Sequence, residues 1–276
     1  MGPFQYASQY CHEWLSIHPS VKEESLTDWL LYHLSSSNPR VHCQAFTRRE
    51  EALIGADWEW WLLTDASLGM SEKPIGYRFL IQAKKLIHDR DNYALLAYSN
   101  QYGLQIDRLI EEAKLRHAMP FYAYYTNALP DLSRQLARIP FIDHSLLRPG
   151  IPHINGCFLS SAFEVHKHLF GGPRKALWEK TLLDDSFGLS LLDELWDSTS
   201  VRDRMKPLND YFKKCVNDPS HPMGFLHHGS ALPSYVQYLI DRQFDHSAFS
   251  CLESQFSHEL QGVGGIGLID LRGKQK

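Results

Sequence analysis

Four polar side chains on two apolar segments are spaced to do chemistry together: Asp57, Glu59, Gln82 and Lys84. The first segment runs Gly-Ala-Asp-Trp-Glu-Trp-Trp-Leu-Leu from Gly55, the second Tyr-Arg-Phe-Leu-Ile-Gln-Ala-Lys-Lys-Leu from Tyr77. Both read as β-strands, because aromatic and aliphatic residues alternate with polar ones. In a strand, residues two apart share a face. Asp57 and Glu59 are therefore expected to point one way, with Trp58 and Trp60 turned to the core. Gln82 and Lys84 likewise share a face, with Ile81 and Ala83 opposite. If the segments pair across the loop from Thr64 to Gly76, two acids, an amide and an amine meet at one sheet edge. That set suits a hard metal ion beside a cationic group. The plain alternative is a cross-strand salt bridge between Asp57 and Lys84.

An Asp heading one strand, with Gln-x-Lys on the next, resembles the PD-(D/E)XK nuclease superfamily. It is most similar to the branch, including Mrr-type restriction enzymes, that carries Gln in place of the second acid. The surrounding text (Glu-Ser-Leu-Thr on a helix, Gly-Ala-Asp-Trp-Glu-Trp, Gln-Ala-Lys) also resembles a little-characterised family of bacterial nuclease-like proteins. The resemblance covers roughly residues 20 to 127. It departs from the older pattern twice: no Pro precedes Asp57, and Gln82 replaces an acid. It implies a metal-dependent endonuclease acting on DNA, with RNA not excluded, of the restriction or anti-phage defence kind. It also implies a glutamate from the first core helix beside the metal, matched by Glu24, and a polar site residue at Gln105.

Hydrolysing a phosphodiester requires an activated water, neutralisation of developing charge and a stabilised leaving oxygen. On this reading Asp57 binds Mg²⁺ or Mn²⁺, and the Gln82 amide oxygen and the Ala83 backbone carbonyl complete the site. Lys84 holds the attacking water or balances the phosphorane charge. Glu59 adds a second carboxylate or orients a ligand. Lys85 is a solvated neighbour or a phosphate contact. Arg134 and Arg138, further along, are candidates for one wall of a substrate groove.

The elements that must position these residues follow from pattern. Tyr6, Tyr10, Trp14 and Ile17 have helical spacing, ended by His18-Pro19. Ser20 and Glu23 form a capping box for the next helix, which leaves Glu24 as the available acid. Val41 to Thr47 reads as a strand ahead of the two motif strands. Ile106 to Arg116 is an amphipathic helix and Phe121 to Thr126 a further strand. The order is αβββαβ, an α/β restriction-endonuclease-like core over residues 1–127. Residues 128–276 read as a mostly helical elaboration, with helices at 162–169, 174–183, 189–197 and 234–244. A closing turn and strand at Gly262 to Leu271 complete this half.

Composition sets the limits. The 276 residues are 43% hydrophobic and 22% charged, ordinary for a globular chain. No apolar run reaches the roughly 18 residues that span a bilayer, and no signal-peptide pattern opens the chain, so a cytoplasmic location without membrane attachment is expected. Five scattered cysteines without a Cys-x-x-Cys pair indicate neither zinc ribbon nor disulfide framework. The 15 histidines lack zinc-motif spacing. A formal charge of −4 gives nucleic-acid binding no help. The expected partners are a nucleic acid, DNA ahead of RNA, and a regulatory protein or second copy of the chain. Two functions stay open: an active nuclease, or a catalytically inert relative serving in binding or assembly.

Overall fold

The computed structural model describes residues 2–46, 54–65, 75–128, 155–174, 176–196, 201–216, 221–222 and 229–272. The chain is mixed α/β, built on one sheet of eight strands. Two helices come first, α1 (Pro3–Ile17) and α2 (Glu23–Ser37). Strands β1 (Val41–Ala45), β2 (Trp58–Thr64) and β3 (Ile75–Lys85) follow, then a short helix α3 (Tyr93–Leu96). A separate hairpin, β4 (Ser99–Asn100) and β5 (Gly103–Leu104), leads into α4 (Gln105–Leu115) and β6 (Met119–Tyr125).

The second half adds β7 (Cys157–Ser161), α5 (Ala162–Phe170), α6 (Glu179–Asp184), β8 (Phe187–Gly188) and a 3-10 segment (Leu189–Trp196). It then adds α7 (Val201–Cys215), β9 (Ser230–Ala231), α8 (Ser234–Asp241), α9 (His246–Gln255) and β10 (Gly265–Asp270). The segment expected to be helical over 174–183 is helical only from Glu179, and 189–197 takes the tighter 3-10 form.

Strand order is β1-β10-β2-β3-β6-β7-β8, with β9 paired to the start of β3. The motif strands β2 and β3 pair antiparallel as the sequence implies, Trp58 opposite Ile81 and Thr64 opposite Ile75. β1 is not their neighbour. The closing strand β10 lies between, parallel to β2 and antiparallel to β1. Two glycines permit this insertion, since a Cβ at Gly265 or Gly267 would lie 2.5 Å or 2.9 Å from the Trp58 or Trp60 ring. The second half is therefore more than a helical layer: β7, β8 and β10 belong to the same sheet as β2 and β3.

The sheet separates two cores. Trp58, Trp60, Phe79, Ile81 and Phe121 face α1, α2 and α7, where Phe4, Leu26, Leu30 and Phe212 meet them. Trp61, Leu63, Leu80, Tyr122 and Phe158 face the other way, against Leu109, Val165, Val236 and Leu252. Each fully buried side chain of this size contributes about 1.5–3 kcal/mol. Every residue of β2 is buried, so the strand is anchored on both faces. This rigid pair of strands holds the motif residues.

Candidate metal and hydrolytic site

Asp57 lies just before β2, where the chain bends into the sheet. Its N–H donates to the Ile81 carbonyl and its own carbonyl accepts from Gly264, both at 2.9 Å. The backbone is thus pinned between β3 and the entry to β10. Its Oδ2 accepts from the Ala83 N–H at 2.7 Å and from Gln82 Nε2. The same Gln82 nitrogen lies 3.1 Å from the Ala83 carbonyl oxygen. One amide NH₂ group therefore bridges a carboxylate and a carbonyl, and those two oxygens converge on a single point. Gln82 Oε1 in turn accepts from Gln105 Nε2 at 2.6 Å. The expected meeting of Asp57, Gln82, Ala83 and Gln105 is present.

Gln105 is held there by a glycine. Gly55 has φ +74, a region that disfavours side chains, and a Cβ on it would lie 2.5 Å from the Gln105 carbonyl. The bend before Asp57 and the start of α4 thus touch backbone to backbone.

Lys84 is buried at the end of β3, its Nζ 3.6 Å from Glu23 Oε1. Glu23 Oε2 accepts the Lys85 N–H at 2.7 Å. This replaces the expected capping box: Lys22 occupies the N-cap position and no side chain caps α2. Tertiary partners on β3 have taken the carboxylate that local sequence assigned to the cap. Glu23 is accordingly an acid paired with the motif lysine, and it was missed because its spacing from Ser20 explained it locally. Glu24 lines the same cleft, as expected, together with Asp28 one turn further along α2. The cleft has a volume of about 180 Å³ and also takes in Asp57, Trp58, Ala83 and Gly264.

Partial burial pushes the Glu23 carboxyl up from 4.5 to about 7, with Asp57 and Glu24 adding to the rise and Lys84 and the Lys85 N–H opposing it. The folded protein therefore keeps a proton that the unfolded chain releases between about pH 4.5 and 7. Stability associated with neutral Glu23 is lost as pH climbs through that window. Urea unfolding at the two ends of it is expected to show a smaller loss for Glu23→Gln than for wild type. Equal losses would show that Glu23 does not titrate in this way.

Two expectations are corrected. Glu59 is not at the cleft. It pairs with Leu80, three residues along β3 from Ala83, a separation of about 10 Å. Fully buried, it accepts from Arg78 Nη2 and Trp61 Nε1, both at 2.6 Å, and from the Tyr235 hydroxyl. Burial raises its pKa, but the Arg78 charge and hydrogen bond, Tyr235 and Arg116 outweigh that and hold the carboxyl below its ordinary value. A carboxylate so saturated has a structural role, tying α8 to the sheet. Lys85 is likewise no phosphate contact: its ammonium donates to the Val21 and Pro19 carbonyls at 2.7 Å and 3.1 Å, closing the loop before α2. Arg134 and Arg138 lie outside the described residues.

The oxygens at this cleft are of the kind that Mg²⁺ and Mn²⁺ accept: a carboxylate, a backbone carbonyl and, with Gln82 turned, an amide oxygen. Turning Gln82 need not break its contact with Gln105, whose own Oε1 has no hydrogen-bond partner among the described residues. If both amides rotate, Gln82 presents oxygen to the cleft and nitrogen to Gln105, and amide oxygen and nitrogen are nearly the same size. A second donor group, Glu164, His168 and Asp185, has ligand atoms within 4.8 Å of one another. His168 Nε2 lies 2.8 Å from Asp185 Oδ2, a hydrogen bond that joins two of the three.

Residues 4–260 match a family described as "Family of unknown function (DUF6615)". The chain belongs to this family. The match runs through both the motif strands and the second half, so α5 to α9 are part of what the family shares. No curated protein and no solved structure matches the chain. Among the described residues no helix is long and apolar enough to cross a membrane.

Proposed function

We propose that the cleft beside Asp57 is the centre of a metal-dependent nuclease on a restriction-endonuclease-like core. The observation that carries this reading is the convergence of Asp57 Oδ2, the Ala83 carbonyl and the Gln82 amide, with Lys84 buried two residues on. Asp57, Gln82 and the Ala83 carbonyl would hold Mg²⁺ or Mn²⁺. When bound, such an ion polarises the phosphoryl oxygen and lowers the pKa of a bound water. Lys84 sets a positive charge where negative charge grows on the phosphoryl group. Glu23 keeps the Lys84 ammonium in place and lies at the cleft as an acceptor for a proton from water. Gln105 orients Gln82. DNA is the favoured substrate, and a restriction or defence role follows from the sequence resemblance.

The test is incubation of purified protein with plasmid, single-stranded DNA and RNA in Mg²⁺, Mn²⁺ or EDTA. Cleavage of at least one substrate with metal and none in EDTA is the expected result. One observation favours the second reading, an inert binding or assembly subunit: Asp57 Oδ2 is already satisfied by two internal donors. No cleavage under any metal would decide for it.

A further inference from the structure

One turn along α4 from Gln105 is Arg108, displaced by three residues, about 4.5 Å of helix rise. Its Nε, Nη1 and Nη2 are each shut off from solvent, and none has a hydrogen-bond partner among the described residues. A guanidinium carries five donors and stays charged in proteins, so leaving it buried and unpaired is costly. Beside it are two tyrosines of the β4–β5 hairpin region. The Arg108 Cζ lies 5.8 Å from the centroid of the Tyr102 ring, and Tyr98 is also within electrostatic reach. Both rings are half exposed, Tyr98 at 51% and Tyr102 at 49%. The hairpin is fastened to the helix start, since the Gln105 N–H donates to the Tyr98 carbonyl at 3.0 Å.

The same end of α4 has other unanswered donors. Leu104 stands at its N-cap, so past the Gln105 N–H, which donates to Tyr98, no N-cap side chain answers the first turn. The Tyr122 hydroxyl is fully buried and unpartnered among the described residues, within electrostatic reach of Asp57 and Asp107. The Asp107 carboxylate is engaged elsewhere, 3.4 Å from His166 Nε2 on α5.

We infer that Arg108, with Tyr98 and Tyr102, forms a subsite that grips a nucleotide of an unpaired strand beside the scissile bond. Arg108 receives the phosphate as the Tyr102 ring moves off it, and the two rings offer stacking faces to bases. Stacking of this kind needs a base free of its complement, so the subsite selects single-stranded nucleic acid or a frayed end over intact duplex. The inference rests on the nuclease reading for its position, since Gln105 connects the subsite to Gln82. Its chemistry is tested without catalysis.

Equilibrium binding of a labelled single-stranded oligonucleotide, and of the same sequence as duplex, is measured in EDTA across a salt series. Wild type is expected to bind the single strand more tightly. Arg108→Ala is expected to lose roughly ten-fold in affinity and to lower the salt slope by about one. Arg108→Lys should retain the slope and part of the affinity. Tyr102→Ala should lose roughly ten-fold with the slope unchanged. Wild-type binding by Arg108→Ala, equal binding of duplex, or no binding of either nucleic acid by wild type would overturn the subsite. Cleavage by a protein whose Arg108→Ala variant binds normally would remove the subsite and leave the hydrolytic centre. The expected binding pattern with no cleavage under any metal would leave the subsite and remove the hydrolysis.

Discussion

Glu59→Ala is expected to destabilise the fold by about 3–5 kcal/mol, the range for removing one partner of a buried ion pair. The substitution leaves the Arg78 guanidinium with its strongest acceptor gone, and the Tyr235 hydroxyl and the Trp61 indole N–H lose it too, keeping their longer contacts with each other and with Arg78. Arg116, 3.7 Å from the same carboxylate, loses that acidic neighbour and keeps Glu112. Glu59→Gln keeps the shape and the accepting oxygen, and should lose less. Urea unfolding of the three proteins checks this, with the m-value reporting whether the transition stays two-state. A Glu59→Ala protein within about 0.5 kcal/mol of wild type, the range of ordinary surface changes, would mean that the network is not what secures α8 to the sheet.

Lys84→Ala is expected to behave in the opposite way, with cleavage lost by about a hundred- to thousand-fold and the fold kept. Among the described residues its ammonium pairs with Glu23 at a long 3.6 Å, so little structure depends on it. Lys84→Arg should not restore the rate, because a planar fork does not reproduce a compact ammonium. The paired measurement is cleavage rate at saturating substrate together with a melting curve. A Lys84→Ala enzyme as fast as wild type would remove the charge-stabilising role assigned to it.

What the sequence made legible was mostly local. Alternation in Trp58 to Leu63 and Phe79 to Ala83 correctly assigned two paired strands and sent Trp58 and Trp60 to the core. The Gln-x-Lys spacing placed Gln82 and Lys84 at the strand end. The helix-opening position of Gln105 put its amide within reach of Gln82. Asp57 lies on a bend just before the strand, at the cleft, while Glu59 lies two residues on, opposite Leu80 and away from it.

The remaining differences depend on partners distant in sequence. Glu59 is claimed by Arg78 and by Tyr235, 176 positions away, and nothing near Glu59 announces that. Glu23 satisfied a local capping pattern, yet a β3 backbone N–H offers it a better partner. β10 was visible as an apolar strand, but its choice of β1 and β2 as neighbours is set by the glycines that accommodate Trp58 and Trp60. Arg108 carried no sequence signal at all. On a helical wheel it is an ordinary polar position, and only its unpaired burial beside Tyr102 distinguishes it.

The central claim is hydrolysis at Asp57, and its most direct test compares wild type with Asp57→Asn, purified identically, on the same nucleic acids. Asn keeps the side-chain shape and an oxygen to accept the Ala83 N–H, while removing the charge that would hold a divalent ion. The account predicts cleavage by wild type in Mg²⁺ or Mn²⁺, abolished by EDTA, and a rate lower by about a thousand-fold or more for Asp57→Asn. Equal cleavage by both proteins, or cleavage by wild type that persists in EDTA, would contradict it.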